Sequence, residues 1–185
     1  MKCVRVLAVF LIIAFLASGL TVPVRADAAS ASEIDRDATK ALNKLYAKKP
    51  AAKALAEKAK AILVFPSITK GGFMVGGQYG EGALRKDGKT IGYYESVALS
   101  YGLQAGVQKF GYALFFMTDS ALKWLDRSDG WEVGTGPSIV VVDEGMAGGL
   151  STTTAQSDIY AFVFSQKGLM AGLGLQGTKI TKIKK

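Results

Sequence analysis

Histidine is absent from this 185-residue chain, cysteine occurs once, at Cys3, and proline only four times. Without histidine, and with its single thiol near the start, the chain excludes the common zinc sites, Ser-His-Asp triads and thiol nucleophiles. Carboxylate chemistry survives those exclusions, but the adjacent pair Asp143-Glu144 reads as a solvated turn tip. Gly172 to Gly177, GLGLQG, has the G-x-G-x-x-G spacing of a dinucleotide site. That fingerprint needs a helix after it and an acid about 20 residues further on, whereas only TKITKIKK follows. Gly177-Thr178-Lys179 also reverses the order of a phosphate-binding loop. No catalytic residue, metal ligand or cofactor is assigned, and the chain is read as non-enzymatic.

The first 26 residues read as an export signal. Lys2 and Arg5 precede an uncharged apolar run from Val6 to Leu20, and Val24-Arg25-Ala26 supplies small side chains for cleavage before Asp27. The run is short for a membrane span, which needs about 20 residues. Cys3 lies ahead of this run, so it is not placed for lipid attachment, and the processed chain has no cysteine for a disulfide. The expected location is periplasmic or secreted, peripheral to a membrane. Residues 27–32 are a flexible lead-in and 33–185 one domain. Three of 23 basic residues and none of 15 acidic ones precede residue 27, leaving 20 against 15 and a net charge of +5.

Ser30 and Glu33 form a capping-box pattern that opens a helix. Ile34, Ala38, Ala41 and Leu45 recur at steps of three and four on one stripe, and Arg36, Lys40, Lys44 and Lys48 form a second stripe beside it. Pro50 starts a second helix, with Leu55, Ala59 and Ile62 on its apolar face. Between Lys40 and Lys60 stand seven lysines, Lys40, Lys44, Lys48, Lys49, Lys53, Lys58 and Lys60, and a single acid, Glu57. Such a segment suits a basic amphipathic hairpin resting on anionic lipid, but periodicity alone favours two ordinary surface helices packed on a core. The two readings are compatible, with apolar stripes inward and lysines outward.

After Ile62 the period changes to two. Ala61 to Pro66 reads as a short buried strand stopped by proline, and Gly72 to Glu81 as an alternating strand. Asp87-Gly88 is a hairpin turn, because both positions tolerate positive φ. Ser96 to Gln108 alternates for 13 residues. Val97, Leu99 and Val107 share its greasy face, and Ser96, Gln104 and Gln108 its small or polar one. Further strands are expected at 112–117, 131–133 and 138–142, with a short helix capped by Thr118 or Asp119 between the first two. A closing hairpin is expected from 159–165 and 168–183. Gly72, Gly76 and Gly80 share one strand face, as do Gly102 with Gly106 and Gly168, Gly172 with Gly174. Glycine inside a strand loses packing and entropy, so this habit implies close approach by a helix or by the far wall of a coiled barrel.

AKAILVFPSITKGGFMVGGQYGEGAL, SYGLQAGVQ, LFFMTDSAL and FVFSQKGLMAGLGLQGTKI, in that order, resemble the SYLF-domain family over roughly Leu45 to Ile183. The resemblance implies lipid binding: eukaryotic members bind phosphoinositides with help from an N-terminal amphipathic helix, and some fungal members bind and bundle actin. The seven lysines occupy the corresponding basic region, in kind rather than residue by residue. The expected fold is α+β: two N-terminal helices on a strongly twisted antiparallel sheet, open or barrel-like, with one short helix inserted. The leading function is a peripheral module that binds an anionic phospholipid surface. The alternatives are a protein-interaction module and a carrier enclosing an apolar ligand, with Phe110, Phe115, Phe116, Trp124 and Phe162 sufficient to fill a small barrel. Nucleic acid is not an expected partner, since Tyr46 alone interrupts the basic run with an aromatic ring.

Overall fold

The computed structural model describes residues 29–142, 157–167 and 175–185. The expected signal sequence, the Asp143-Glu144 pair and Gly168, Gly172 and Gly174 lie outside these residues. Helix α1 (Ala31–Lys48) opens on the expected capping box: Glu33 N–H donates to Ser30 Oγ, and the Glu33 carboxylate accepts from Ser30 N–H. The helix therefore begins directly after Ser30, as the capping-box pattern expects. Its buried stripe is Ile34, Ala38, Leu42 and Leu45, with Leu42 in the place expected for Ala41, which is half-buried. The chain bends at Lys49, and α2 (Pro50–Ala56) begins with proline at its first position.

The sheet is dominated by two very long strands, β1 (Ala61–Lys86) and β2 (Lys89–Phe116), joined at the Asp87-Gly88 turn, where φ is 50° and 75°. The separate strands expected on each side of this turn are merged. Pro66 does not stop β1, because it falls at a register shift between Phe65 and Ile68, where its missing N–H interrupts no regular ladder pair. Beyond β2 come α3 (Asp119–Leu122), capped by Thr118 Oγ1 accepting from Ala121 N–H, and a 3₁₀ turn at 123–126. The remaining strands are β3 (Trp131–Glu132), β4 (Ile139–Val142), β5 (Ile159–Lys167) and β6 (Lys179–Ile183).

The strand order is β3-β6-β2-β5-β4, with β1 on the other edge of β2. Among the described residues β5 and β6 do not pair with each other as the expected closing hairpin would. β5 pairs with β2 from Phe116↔Ile159 to Lys109↔Lys167, and β6 pairs with it from Val97↔Lys179 to Tyr93↔Ile183. β5 and β6 thus pair with successive stretches of the same strand, with a register shift in β5 between Lys109 and Gly111. A strand as long as β2 offers enough edge for both. β4 runs parallel to β5, a departure from the all-antiparallel expectation.

The sheet is strongly curled, and glycine permits it. A Cβ on Gly80 would lie 2.5 Å from Ser67 O and from the Ile68 side chain, and one on Gly82 would strike Val64 O and the Phe65 ring. Both partners belong to the start of β1 itself, so the strand doubles back over its own second half. The close approach expected on the glycine face is thus the far wall of the coil. Gly72 likewise abuts Gly76. Gly106 departs from this account: open space surrounds its Cβ position, and glycine is required there by a φ of 136°.

Curling divides the core in two. Inside it, Phe65, Tyr112, Leu114, Phe116, Trp131 and Ile159 are almost fully buried, with the Phe65 and Tyr112 rings 4.8 Å apart. On the outer face, Ile34, Leu42 and Leu45 of α1 pack on Val64, Ala113, Phe115 and Phe162. Each such side chain contributes at most about 1.5–3 kcal/mol. The lumen is filled by side chains, Phe110 and Phe116 among them as expected, with Trp124 half-buried beside it; Phe115 and Phe162, also expected inside, lie on the outer face beneath α1.

Candidate functional site

Helix α1 is seated on the hairpin by Asp35. Its carboxylate accepts from Thr90 Oγ1 at 2.6 Å and Tyr93 Oη at 3.0 Å, with Arg85 Nη1 3.8 Å away. This anchoring, with the apolar stripe turned inward, leaves Lys40, Lys44 and Lys48 on the exposed side of the helix. The bend at Lys49 directs the chain into α2 without a side-chain cap.

Lys44, Lys48 and Lys49 meet at a cleft of about 590 Å³ between the C-terminal half of α1 and strands β4 and β5. Its floor is apolar, made by Leu45, Val141, Val142, Val163 and Phe164, and Val141 is 42% exposed within it. Ser165 and Gln166 complete the lining, so among the described residues no carboxylate faces the three cations. Three other clefts each carry at least one carboxylate: Glu57 and Asp87, Glu33 and Glu81, and Asp129 and Glu132. Lys44 Nζ donates to Ser165 Oγ at 3.3 Å. Ser165 has a φ of 56°, in the left-handed region, at an irregularity where the β2–β5 register shifts between Lys109 and Gly111. Strained non-glycine residues of this kind concentrate at functional positions.

The strands that make the floor are clamped at their start by Asp158. Its carboxylate accepts from Ser138 Oγ at 2.8 Å, Ser138 N–H at 3.0 Å and Thr118 Oγ1 at 3.2 Å. The Ser138 bonds, chiefly that of the side chain, hold the Asp158 carboxyl below its ordinary range.

The structure divides the seven lysines. Lys44, Lys48 and Lys49 converge on the cleft, whereas Lys40 and Lys53 stand exposed on the helices outside it. Lys60 borders a separate crevice with Glu57, Arg85 and Lys86, and Lys58 is exposed between the two helices and β1. Sequence reasoning missed the floor. Val141 and Phe164 lie far from the lysines in the chain, and no local pattern signals that a helix end will sit above them. Among the glycines singled out, a Cβ on Gly72 would meet the Gly76 backbone and one on Gly80 the backbone of Ser67 and Ile68.

Residues 97–185 match the Ysc84 family model, described as "Las17-binding protein actin regulator". No curated protein matches the chain. The matched span includes the β4 and β5 floor of the cleft, and the lysines lie ahead of it. Through residues 97–185, the chain belongs to the Ysc84, or SYLF, family.

Proposed function

We propose that this protein is a peripheral lipid-binding module, exported to the periplasm or beyond, that holds anionic phospholipid head groups at Lys44, Lys48 and Lys49. The observation that carries this reading is the pairing of three cations with an apolar floor in a cleft whose lining, among the described residues, has no carboxylate. An anionic amphiphile has the matching chemistry, a phosphate for the rim and hydrocarbon for Val141 and Phe164. Each lysine near a charged membrane surface contributes about 1 kcal/mol, and salt screens that attraction. Lys40, Lys53, Lys58 and Lys60 add to the long-range attraction without entering the cleft.

Flotation with phosphatidylcholine vesicles, with and without phosphatidylglycerol, tests the reading at low and high salt. Binding should require the anionic lipid, weaken with salt, and fall in Lys44→Glu and Lys48→Glu. Equal binding to neutral vesicles would sink the lysine assignment.

A protein-interaction module is the second reading, favoured by the "actin regulator" description of the matched family. Absence of flotation under every condition would favour it. The enclosed-carrier reading has less support, because aromatic and aliphatic side chains fill the curled sheet.

A further inference from the structure

The outer face of the sheet is covered unevenly. Near the hairpin turn and at the far end of β2 it lies beneath the helices, where Ala83, Tyr93, Ala113 and Phe115 join the cluster around α1. Between these regions the described residues of the same face are bare. Val75, Tyr79, Val97, Leu99 and Val107 project from it with exposures of 57, 46, 37, 71 and 63%. The opposite, inward face of these strands buries Gln78, Ser96 and Gln108. The usual order of a half-buried strand, apolar in and polar out, is inverted here.

Glycine accentuates the exposure. Leu99 stands opposite Gly77, and Val107 opposite Gly71, so these two exposed side chains lack a neighbouring side chain across the β1–β2 ladder. Tyr79 pairs with Val97 at the rim and donates its phenol proton to Glu81 at 2.9 Å. Exposed lysines bracket the patch: Lys179 pairs with Val97 at one end, and Lys109 pairs with Lys167 beside Val107 at the other. Glu81 and Glu95, opposite each other across the ladder, are half-buried acids on this face.

We propose that this bare face is a second membrane contact, seating Leu99, Val107 and Val75 at the headgroup–acyl boundary of an anionic bilayer. The inference rests on the lipid-binding reading above and extends it to a surface outside the lysine cleft. An apolar patch of this kind marks an interaction site, and the bracketing charge selects the occupant. Lysines at both ends complement phosphates around inserted hydrocarbon side chains, and a tyrosine at the rim suits the same boundary. A second copy of the chain would set lysine against lysine in either orientation.

The test uses Leu99→Trp and Val107→Trp in the full chain, with the unsubstituted protein as baseline for Trp124 and the buried Trp131. Both substituted sites are exposed, so the core is untouched, and circular dichroism checks folding. On mixed phosphatidylcholine/phosphatidylglycerol vesicles, the new indole should shift its emission to the blue and be quenched by brominated acyl chains. Leu99→Asn with Val107→Asn should weaken flotation by roughly tenfold or more. Flotation without blue shift or quenching would overturn this inference and leave the lysine cleft standing. No flotation of the unsubstituted protein would overturn both. A doubling of mass in solution, abolished by Leu99→Asn and unaccompanied by lipid quenching, would make the occupant a second copy and overturn the membrane assignment.

Discussion

Lys185 Nζ lies 2.9 Å from both carboxylate oxygens of Glu81, and the two side chains are 10% and 9% exposed. The same carboxylate accepts from Ala29 N–H and Tyr79 Oη, and Lys185 also donates to Ala29 O. One acid on β1 therefore holds the segment leading into α1 and the segment following β6 together.

Removing one partner of so buried a pair leaves the other charge without compensation. Glu81→Ala should cost about 3 kcal/mol, read as a lowered urea midpoint with little change in slope. Lys185→Met should cost less than Glu81→Ala, since Glu81 would keep its bonds to Ala29 and Tyr79. Equal, negligible losses in both variants would show that the latch carries no stability.

Gly82 and Gly88 separate steric need from conformational need. Gly82→Ala would drive a methyl group into Val64 O and the Phe65 ring, both buried and hemmed in. It should cost more than about 3 kcal/mol or prevent folding. Gly88→Ala meets open space, and only its φ of 75° opposes the change, so the loss should be about 1 kcal/mol. Thermal denaturation of the two variants decides whether the doubling-back of β1 is as tight as described.

Val141 tests the cleft floor without touching the lysines. It is 42% exposed, so Val141→Glu should leave the fold intact. It places a carboxylate beside Lys44 and Lys48 and removes apolar contact, and should weaken vesicle binding by about 1–2 kcal/mol. Unchanged affinity would confine lipid contact to the exposed lysines.

The pH dependence of stability has opposite signs at its two ends. Hydrogen bonds from Ser138 and Thr118 depress the Asp158 pKa in the folded state. The stability they confer is present above the ordinary aspartate value of about 3.9 and is lost as pH falls through the folded value. Asp158→Asn should remove that part of the acid dependence. Burial, with a smaller contribution from Asp126, pushes the Tyr94 phenol up to about 12. A raised value stabilises the fold below pH 10.0, and the gain disappears as pH climbs from there towards 12. Tyr94→Phe should flatten the alkaline limb of a denaturation-midpoint profile.

Much of the local structure was legible because its causes are local. The Ser30–Glu33 box, Pro50, the Thr118 cap and the Asp87-Gly88 turn each act within a few residues, and all four occur as expected. Register and partnership were not legible. β5 and β6 look like the arms of a hairpin, yet both pair with β2, because merging the expected short strands produced a strand long enough to hold them in line. The lysine run was visible as charge, but its division between a cleft, open helix faces and a second crevice depends on how Asp35 orients α1.

The sequence by itself determined that this is an α+β domain with a basic helical entry, period-two strands and glycines set for close packing. It also removed histidine and thiol chemistry from consideration. Only the tertiary structure decided which face of those strands is inside. Alternation states that two faces differ, not which one meets water. The coil of β1 over itself leaves room inside for Gly76 and Gly80 beside Gln78 and Ser96, and turns Val75, Leu99 and Val107 outward. Curvature is a property of the whole sheet, summed over its bulges and glycine contacts, and no short stretch of sequence states it.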